Sequence, residues 1–315
     1  MCCLHKALYG LKLAPRASYT RLSQWLLDLG FVASQVDTSL FTFHGDKVHL
    51  YILIYVDDLL VTDTHDSFIF SLITKLMTEF SLKDLGALGY FLGIQATRDA
   101  HGLHLCQSKN ILDILHRARM VGAKPYSAPC LSGAKLSANT SDHDPLSDAI
   151  EYRKIVSALQ YCTLSRLDIA STVNQLCQYL HAPTSAHWAS ANQVLRYLKG
   201  TVDHGLYYTH NGLNLQTYSD SDWADDLDDR RSTTRYGVFL GSSLISWSAK
   251  KQPMVSQSST KAEYHALDFA VAELYPLCMI LRDLHIPLHS SPIIWCDNIN
   301  ALALDSNLIL YFMHG

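Results

Sequence analysis

No Cys-x-x-Cys pair occurs among the 8 cysteines, which are scattered along the 315 residues. That spacing excludes a disulfide framework and a zinc knuckle, and a reducing, intracellular compartment suits it better. The 16 histidines lack metal-ligand spacing as well, so most of them read as surface or loop residues. No uninterrupted apolar run approaches the roughly 20 residues that span a bilayer. The best candidate, near Tyr51, is broken by Asp57 and Asp58. Met1-Cys2-Cys3-Leu4-His5-Lys6 leads into no apolar stretch of signal-peptide type, so no membrane partner is expected. Strong net charge is also missing: charged residues make up 17% and the balance is -4, which does not by itself mark a nucleic-acid binder. Charge is local instead, with an acidic run from Asp220 to Asp229 followed by Arg230, Arg231, Arg235, Lys250 and Lys251. Present in ordinary amount is apolar content, 48%, a globular value. The length allows two or three domains with real cores.

The most informative stretch is His49-Leu50-Tyr51-Ile52-Leu53-Ile54-Tyr55-Val56-Asp57-Asp58-Leu59-Leu60-Val61. Two apolar, β-rich runs flank two adjacent carboxylates, which predicts a buried β-hairpin with Asp57 and Asp58 at or beside its turn. Neighbouring anions repel each other and are costly beside a core. A hard divalent cation with oxygen ligands is the natural partner. An arbitrary Asp-Asp pair is simply a turn; Tyr-x-Asp-Asp between two such strands is far more specific.

A second pattern begins at Leu213. Leu213 to Asp220 alternates as a strand that leaves Asp220 at its end. Thr233 to Leu240 and Leu244 to Lys250 predict the next two strands, Ser258-Ser259-Thr260 opens a long helix, and Ile293 to Cys296 is a strand ending in Asp297-Asn298. Within the helix, Thr260-x-x-Glu263 fits a capping box, which would make Glu263 structural. Yet Glu263 shares a face with Leu267, Ala270, Leu274, Leu277 and Leu281, and a glutamate on an apolar face needs a partner. A metal shared with Asp220 and Asp297 would supply one. Between the two patterns, Ser132 to Asp148 is the best linker, and Arg196 and Lys199 near a helix end are candidates for phosphate contact.

These motifs carry a resemblance. Leu8-Tyr9-Gly10-Leu11-Lys12 with Pro15-Arg16, then Gly30-Phe31, Ser34, Asp37, Ser39-Leu40-Phe41 and the Tyr-x-Asp-Asp hairpin, resemble copia-type LTR retrotransposon polymerases in order and spacing. Asp229-Arg230-Arg231-Ser232-Thr233, Leu244-Ile245-Ser246-Trp247-Ser248, Lys250-Lys251-Gln252 and Ala262-Glu263-Tyr264 resemble the ribonuclease H domain of the same family. The resemblance implies an α/β (α+β) chain in three parts. Residues 1–130 would be a partial reverse transcriptase with the palm hairpin and a thumb-like part. Residues 131–208 would be a linker and helical connection, and residues 209–315 a ribonuclease H-like mixed sheet with helices, C-terminally truncated. It implies two-metal chemistry with Mg2+ or Mn2+ at Asp57 and Asp58 and at Asp220, Glu263 and Asp297. Implied partners are an RNA template, a DNA primer, an RNA–DNA hybrid and, in an intact element, the N-terminal Pol segments. The implied location is cytoplasmic, particle-associated in an intact element, or nuclear.

In the family a further palm aspartate lies upstream of the Leu-Tyr-Gly-Leu-Lys segment, and a fourth nuclease carboxylate follows in a His-rich stretch. Neither is in this sequence, whose tail is Leu308-Ile309-Leu310-Tyr311-Phe312-Met313-His314-Gly315. The likeness stops within a few residues of Leu304, which suggests a frameshift or splice error near Asn307. Departures inside the match include Leu13 for Gln, Ser18 for Trp, Ser157 for Gly, Leu167 for Pro, Arg235 for Gly and Pro276 for Trp. The expected reading is a decayed or truncated element copy with impaired catalysis. The alternatives are a catalytically dead, nucleic-acid-binding remnant and a functionless pseudogene product.

Overall fold

The computed structural model describes residues 14–45, 48–63, 66–130, 136–138, 144–210 and 212–306. The Leu8–Lys12 motif and the tail from Asn307 lie outside the described residues. Contacts gather the chain into two compact units: Met1–Leu88 with Tyr275–Pro287, and Gly89–Leu274 with Leu288–Gly315. The chain is a mixture of helices and mostly antiparallel sheets, the α+β class expected.

The first unit holds a four-stranded antiparallel sheet in the order β1 (Val32–Ala33), β2 (Leu40–His44), β3 (His49–Tyr55), β4 (Asp58–Asp63). Period-two alternation in β3 buries Leu50, Ile52 and Ile54 on one face. They pack with Phe31 and Phe41, with Leu22 and Leu26 of α1 (Ala14–Asp28), and with Leu72 and Leu76 of α2 (Asp66–Glu79). Both helices present residues four apart, which is what brings two side chains onto one face. Gly30, at φ +91°, stops α1 and turns the chain into β1, a conformation that glycine adopts without strain. On the other face of the sheet, the Tyr51 hydroxyl donates to the Leu284 carbonyl at 2.9 Å, so the segment after residue 275 covers part of it.

The second unit is built on two more sheets and a helical core. β5 (Tyr90–Phe91), β6 (Ile94–Arg98), β7 (Gly102–Cys106) and β8 (Gly205–Thr209) form one antiparallel sheet in chain order. The β7–β8 pairing joins segments about a hundred residues apart, Gly102 to Thr209 and Cys106 to Gly205. It is unusually close: a Cβ at Gly205 would lie 2.1 Å from the Leu105 carbonyl oxygen, and one at Gly102 2.0 Å from that of Tyr208. Backbone atoms cannot rotate away as a side-chain tip can. Gly205→Ala is therefore expected to lower stability by about 1–3 kcal/mol, whereas a Cβ at Gly122 meets nothing within 4 Å. Denaturant titration of the two variants checks this, and equal losses would contradict it.

The core beside that sheet comes from α3 (Ser108–Arg117), α4 (Ala149–Cys162), α5 (Ala170–Cys177) and α6 (Ser185–Gly200), through Ile111, Ile114, Leu115, Ile155, Leu159, Leu176, Val194 and Leu198. The expected linker is not free where it is described. Leu136 is buried in this core, and Asp228 accepts hydrogen bonds from the Ser137 hydroxyl and the Ala138 N–H. Polar composition read as a loop, but Leu136 found an apolar site. Arg196 and Lys199 are likewise engaged, donating to the carbonyls of Lys124 and Ala123 at 2.8 and 2.5 Å, so they brace that segment.

The third sheet runs β11 (Ser243–Lys251), β10 (Thr233–Leu240), β9 (Leu215–Ser221), β12 (Ile293–Trp295). β12 lies parallel to β9, with Trp295 opposite Tyr218, while the other pairs are antiparallel. α7 (Ser259–Asp283) follows, and α8 (Ile299–Ser306) ends the described chain. α7 continues through Pro276 rather than ending there; a proline in its interior forgoes one helical hydrogen bond. By length and mean hydropathy alone α7 is long and apolar enough to cross a membrane. Its Ala262, Ala266 and Ala270 are fully buried, the small-residue stripe of a helix lying close on other elements.

Candidate metal centre

The β3–β4 hairpin closes as predicted on two residues, Val56 and Asp57, with Tyr55 and Asp58 the last cross-strand pair. Val56 stands at φ +52°, the left-handed region that a β-branched side chain occupies only under strain. The expectation that the carboxylates sit beside a buried core is corrected by the geometry. Asp57, Asp58, Tyr55 and Val56 are all exposed at the tip, and among the described residues neither aspartate has an ion-pair partner. Two side chains at the end of a strand pair project past the sheet, where water solvates them, so the desolvation that would demand a resident cation is absent. The hairpin presents two carboxylates to whatever docks there.

The second cluster is assembled by topology. Because β9 and β12 are parallel neighbours, both deliver their carboxyl ends to one edge of the sheet. Asp220 lies near the end of β9, and Cys296 and Asp297 directly follow β12. α7 supplies Glu263. Its first turn is capped by Ser258, whose hydroxyl oxygen accepts from the Lys261 N–H at 3.2 Å. Glu263 does not reach back to Thr260: its Oε1 accepts from the Ser221 N–H at 3.1 Å, on β9. The carboxylate is aimed at the sheet edge, where a cap residue would face its own helix end.

Glu263 is buried, 6% exposed, and among the described residues its Oε2 has no hydrogen-bond partner. A buried carboxylate oxygen that no protein donor meets is costly unless water or a cation satisfies it. One atom each of Glu263, Cys296 and Asp297 lie within 4.8 Å of one another. Burial pushes the Glu263 carboxyl upward in pKa; the Ser221 N–H opposes this, and the charges of Asp220, Asp297 and Asp222 add to it. Burial likewise raises the Cys296 thiol, with Glu263, Asp297 and Asp220 contributing. Of the three carboxylates expected to converge, Glu263 and Asp297 come within ligand distance of each other, while Asp220 acts on Glu263 as a nearby charge. The carboxylate oxygens of Glu263 and Asp297, with Asp220 nearby, are the donors that suit a hard divalent cation, whereas the Cys296 thiol in the same group is a soft one.

Two members were not foreseen as part of it. Cys296 gave no signal beyond its place next to Asp297, because no paired ligand spacing includes it. Arg235, opposite Asp220 in the β10–β9 pairing, sends Nη1 to Asp220 Oδ2 at 3.4 Å and Nη2 to Asp222 Oδ2 at 3.0 Å. The rest of the acidic run is also paired. Lys251 bridges Asp226 and Asp229 at 2.7 and 2.9 Å, and Asp222 Oδ1 accepts from the Thr233 N–H at 2.6 Å.

Residues 1–132 match the family described as reverse transcriptase (RNA-dependent DNA polymerase). The retrovirus-related Pol polyproteins from transposons RE2 and RE1 of Arabidopsis thaliana are each 45% identical over 312 residues, which is 99% of this chain and 21% of theirs. An uncharacterized mitochondrial protein of the same plant is 48% identical over 226 residues, covering 71% of this chain and 93% of that protein. The chain spans about a fifth of the length of the Pol polyproteins it matches, given the 21% coverage. Identity of this level along 99% of the chain, in a match that contains the Tyr-x-Asp-Asp hairpin, places it plainly: the chain belongs to the copia-type retrotransposon Pol family, with its first 132 residues in the part that matches the reverse transcriptase family.

Proposed function

We propose that this chain is a Pol segment with two nucleic-acid-directed sites, a palm hairpin for RNA-directed DNA synthesis and an attenuated ribonuclease H-type site acting on RNA–DNA hybrids. In functional terms the segments are 1–130 for the polymerase part, 131–208 for the connection and 209–315 for the nuclease part, with intracellular residence. Membership of a reverse transcriptase family supports the first activity in kind, together with RNA and DNA as partners and a divalent cation, Mg2+ or Mn2+, as cofactor. The buried, unpartnered Oε2 of Glu263 beside Asp220 and Asp297 carries the second.

When bound, a divalent ion at such a site stabilises developing charge on phosphate oxygens and lowers the pKa of bound water. Asp220, Glu263 and Asp297 would hold it. Glu263 is fixed by the Ser221 N–H and by its place on a capped helix, so its carboxylate is oriented before any ion arrives. Asp57 and Asp58 would serve the polymerase half from an exposed tip open to a primer end. Attenuation is supported by the guanidinium of Arg235 on Asp220.

The test uses the full chain with a 5′-labelled RNA–DNA hybrid and Mn2+. Slow cleavage of the RNA strand is expected, abolished by Asp220→Asn and absent with DNA duplex. Cleavage unchanged in Asp220→Asn would overturn the assignment. Binding of the hybrid without any cleavage would favour the remnant that only binds.

A further inference from the structure

Cross-strand neighbours on one sheet face are within reach of each other, and Arg235 and Asp220 are such a pair. The arginine is held by three groups: Asp220, Asp222 and the Ser171 hydroxyl, the last 3.4 Å from Nε. It is not a stabilising ion pair of much weight. Its side chain is 39% exposed and that of Asp220 61%, and ion pairs this exposed add little to stability. Nor does it satisfy the cluster, because among the described residues the buried Oε2 of Glu263 has no partner. The guanidinium therefore engages the outer side of the cluster and leaves the inner ligand waiting.

We propose that Arg235 is a resident counter-ion of the carboxylate cluster, which competes for Asp220 and repels a divalent cation, so that this chain binds the metal weakly. The proposal deepens the reading of Asp220, Glu263 and Asp297 as cation ligands and rests on it. Two effects act in the same direction. The Oδ2 of Asp220 that meets Arg235 is shared with the guanidinium rather than given wholly to a metal. A unit charge and a double charge about 6 Å apart repel by about tenfold in affinity even at the dielectric constant of water. Asp222 is drawn into the same pairing, so removing the guanidinium frees two carboxylates rather than one.

Binding of Mn2+ to the full chain is measured by isothermal titration calorimetry, and independently from the free Mn2+ signal in electron paramagnetic resonance. Arg235→Gly and Arg235→Gln are each expected to tighten Mn2+ about tenfold, while Arg235→Lys, which keeps the charge, stays close to the parent. Glu263→Gln in each background should abolish binding. Far-UV circular dichroism confirms that the variants fold, and Arg235→Gln preserves most of the aliphatic stem should Arg235→Gly disturb β10. If Arg235→Gly and Arg235→Gln bind as weakly as the parent while Glu263→Gln still abolishes binding, the counter-ion proposal is wrong and the metal centre stands. If no variant binds Mn2+, or Glu263→Gln changes nothing, the metal centre fails and the proposal with it.

Discussion

Millimolar Mn2+ or Mg2+ is expected to raise the melting temperature of the chain, and Glu263→Gln should remove that rise while raising the metal-free baseline. The substitution is nearly isosteric, and the amide oxygen can still accept the Ser221 N–H, so what changes is charge. In the parent without metal, a buried carboxylate faces Asp220, Asp297 and Asp222 with one oxygen unsatisfied. Removing that anion relieves repulsion and desolvation together, so the metal-free variant gains stability. With metal the balance reverses. A ligand that binds only the folded state stabilises it by about 2.7 kcal/mol at a hundred times its Kd, which for a unit of this size is about 5–10 °C. The parent should show that gain only at high metal concentration if Arg235 weakens the site. A purely structural glutamate gives a different result: Glu263→Gln would lower the metal-free baseline, and the metal response would persist.

How much of this was legible in the sequence follows the range of the interactions. The β3–β4 hairpin was readable because alternation of Leu50, Ile52 and Ile54 and a two-residue turn are local properties. The order of Asp220, Glu263 and Asp297 was readable because each falls at an element boundary or on an amphipathic face. Their convergence depends on β12 adding in parallel beside β9, across more than seventy intervening residues. The β7–β8 pairing of Gly102–Cys106 with Gly205–Thr209 was missed for the same reason, since nothing local in either segment names its partner. Leu136 was hidden in polar surroundings that read as linker. The exposure of Asp57 and Asp58 was misjudged because periodicity tells which face is buried, not how far a turn projects. Arg196 and Lys199 were candidates for phosphate by charge alone, and their hydrogen bonds to the carbonyls of Lys124 and Ala123 have no local signal in the sequence.

A different stretch between helices should produce the largest loss of stability from a single exchange. Arg166 is buried, its side chain 1% exposed, and reaches Asp168 with Nε at 3.0 Å and Nη2 at 2.7 Å. It also donates to the Thr201 carbonyl at 2.7 Å and the Thr201 hydroxyl at 2.6 Å, and lies over the Tyr197 ring. Asp168 is 35% exposed and accepts a further hydrogen bond from the Tyr197 hydroxyl at 2.7 Å. The partners are thus unequal. Losing Asp168 strands a cation away from water, and breaking a buried pair in this way costs about 3–5 kcal/mol. Losing Arg166 strands an anion that water can reach, so Arg166→Met is expected to be milder than Asp168→Asn. The double variant should recover part of the Asp168→Asn loss, because no charge is then left buried. Acid tests the same pair. Burial pushes the Asp168 carboxyl upward, but hydrogen bonds from Arg166 and Tyr197 and the arginine's charge outweigh it and hold the pKa below the usual carboxylate value. A carboxyl depressed in the folded state contributes stability that is fully present above the unfolded pKa, about 3.9. That stability is lost as pH falls through the folded value. Arg166→Met should therefore flatten the acid limb of the stability curve below about pH 4, measured by urea titration from pH 7 to pH 2. If Asp168→Asn proves milder than Arg166→Met, packing of the arginine stem governs this site and the charge asymmetry does not.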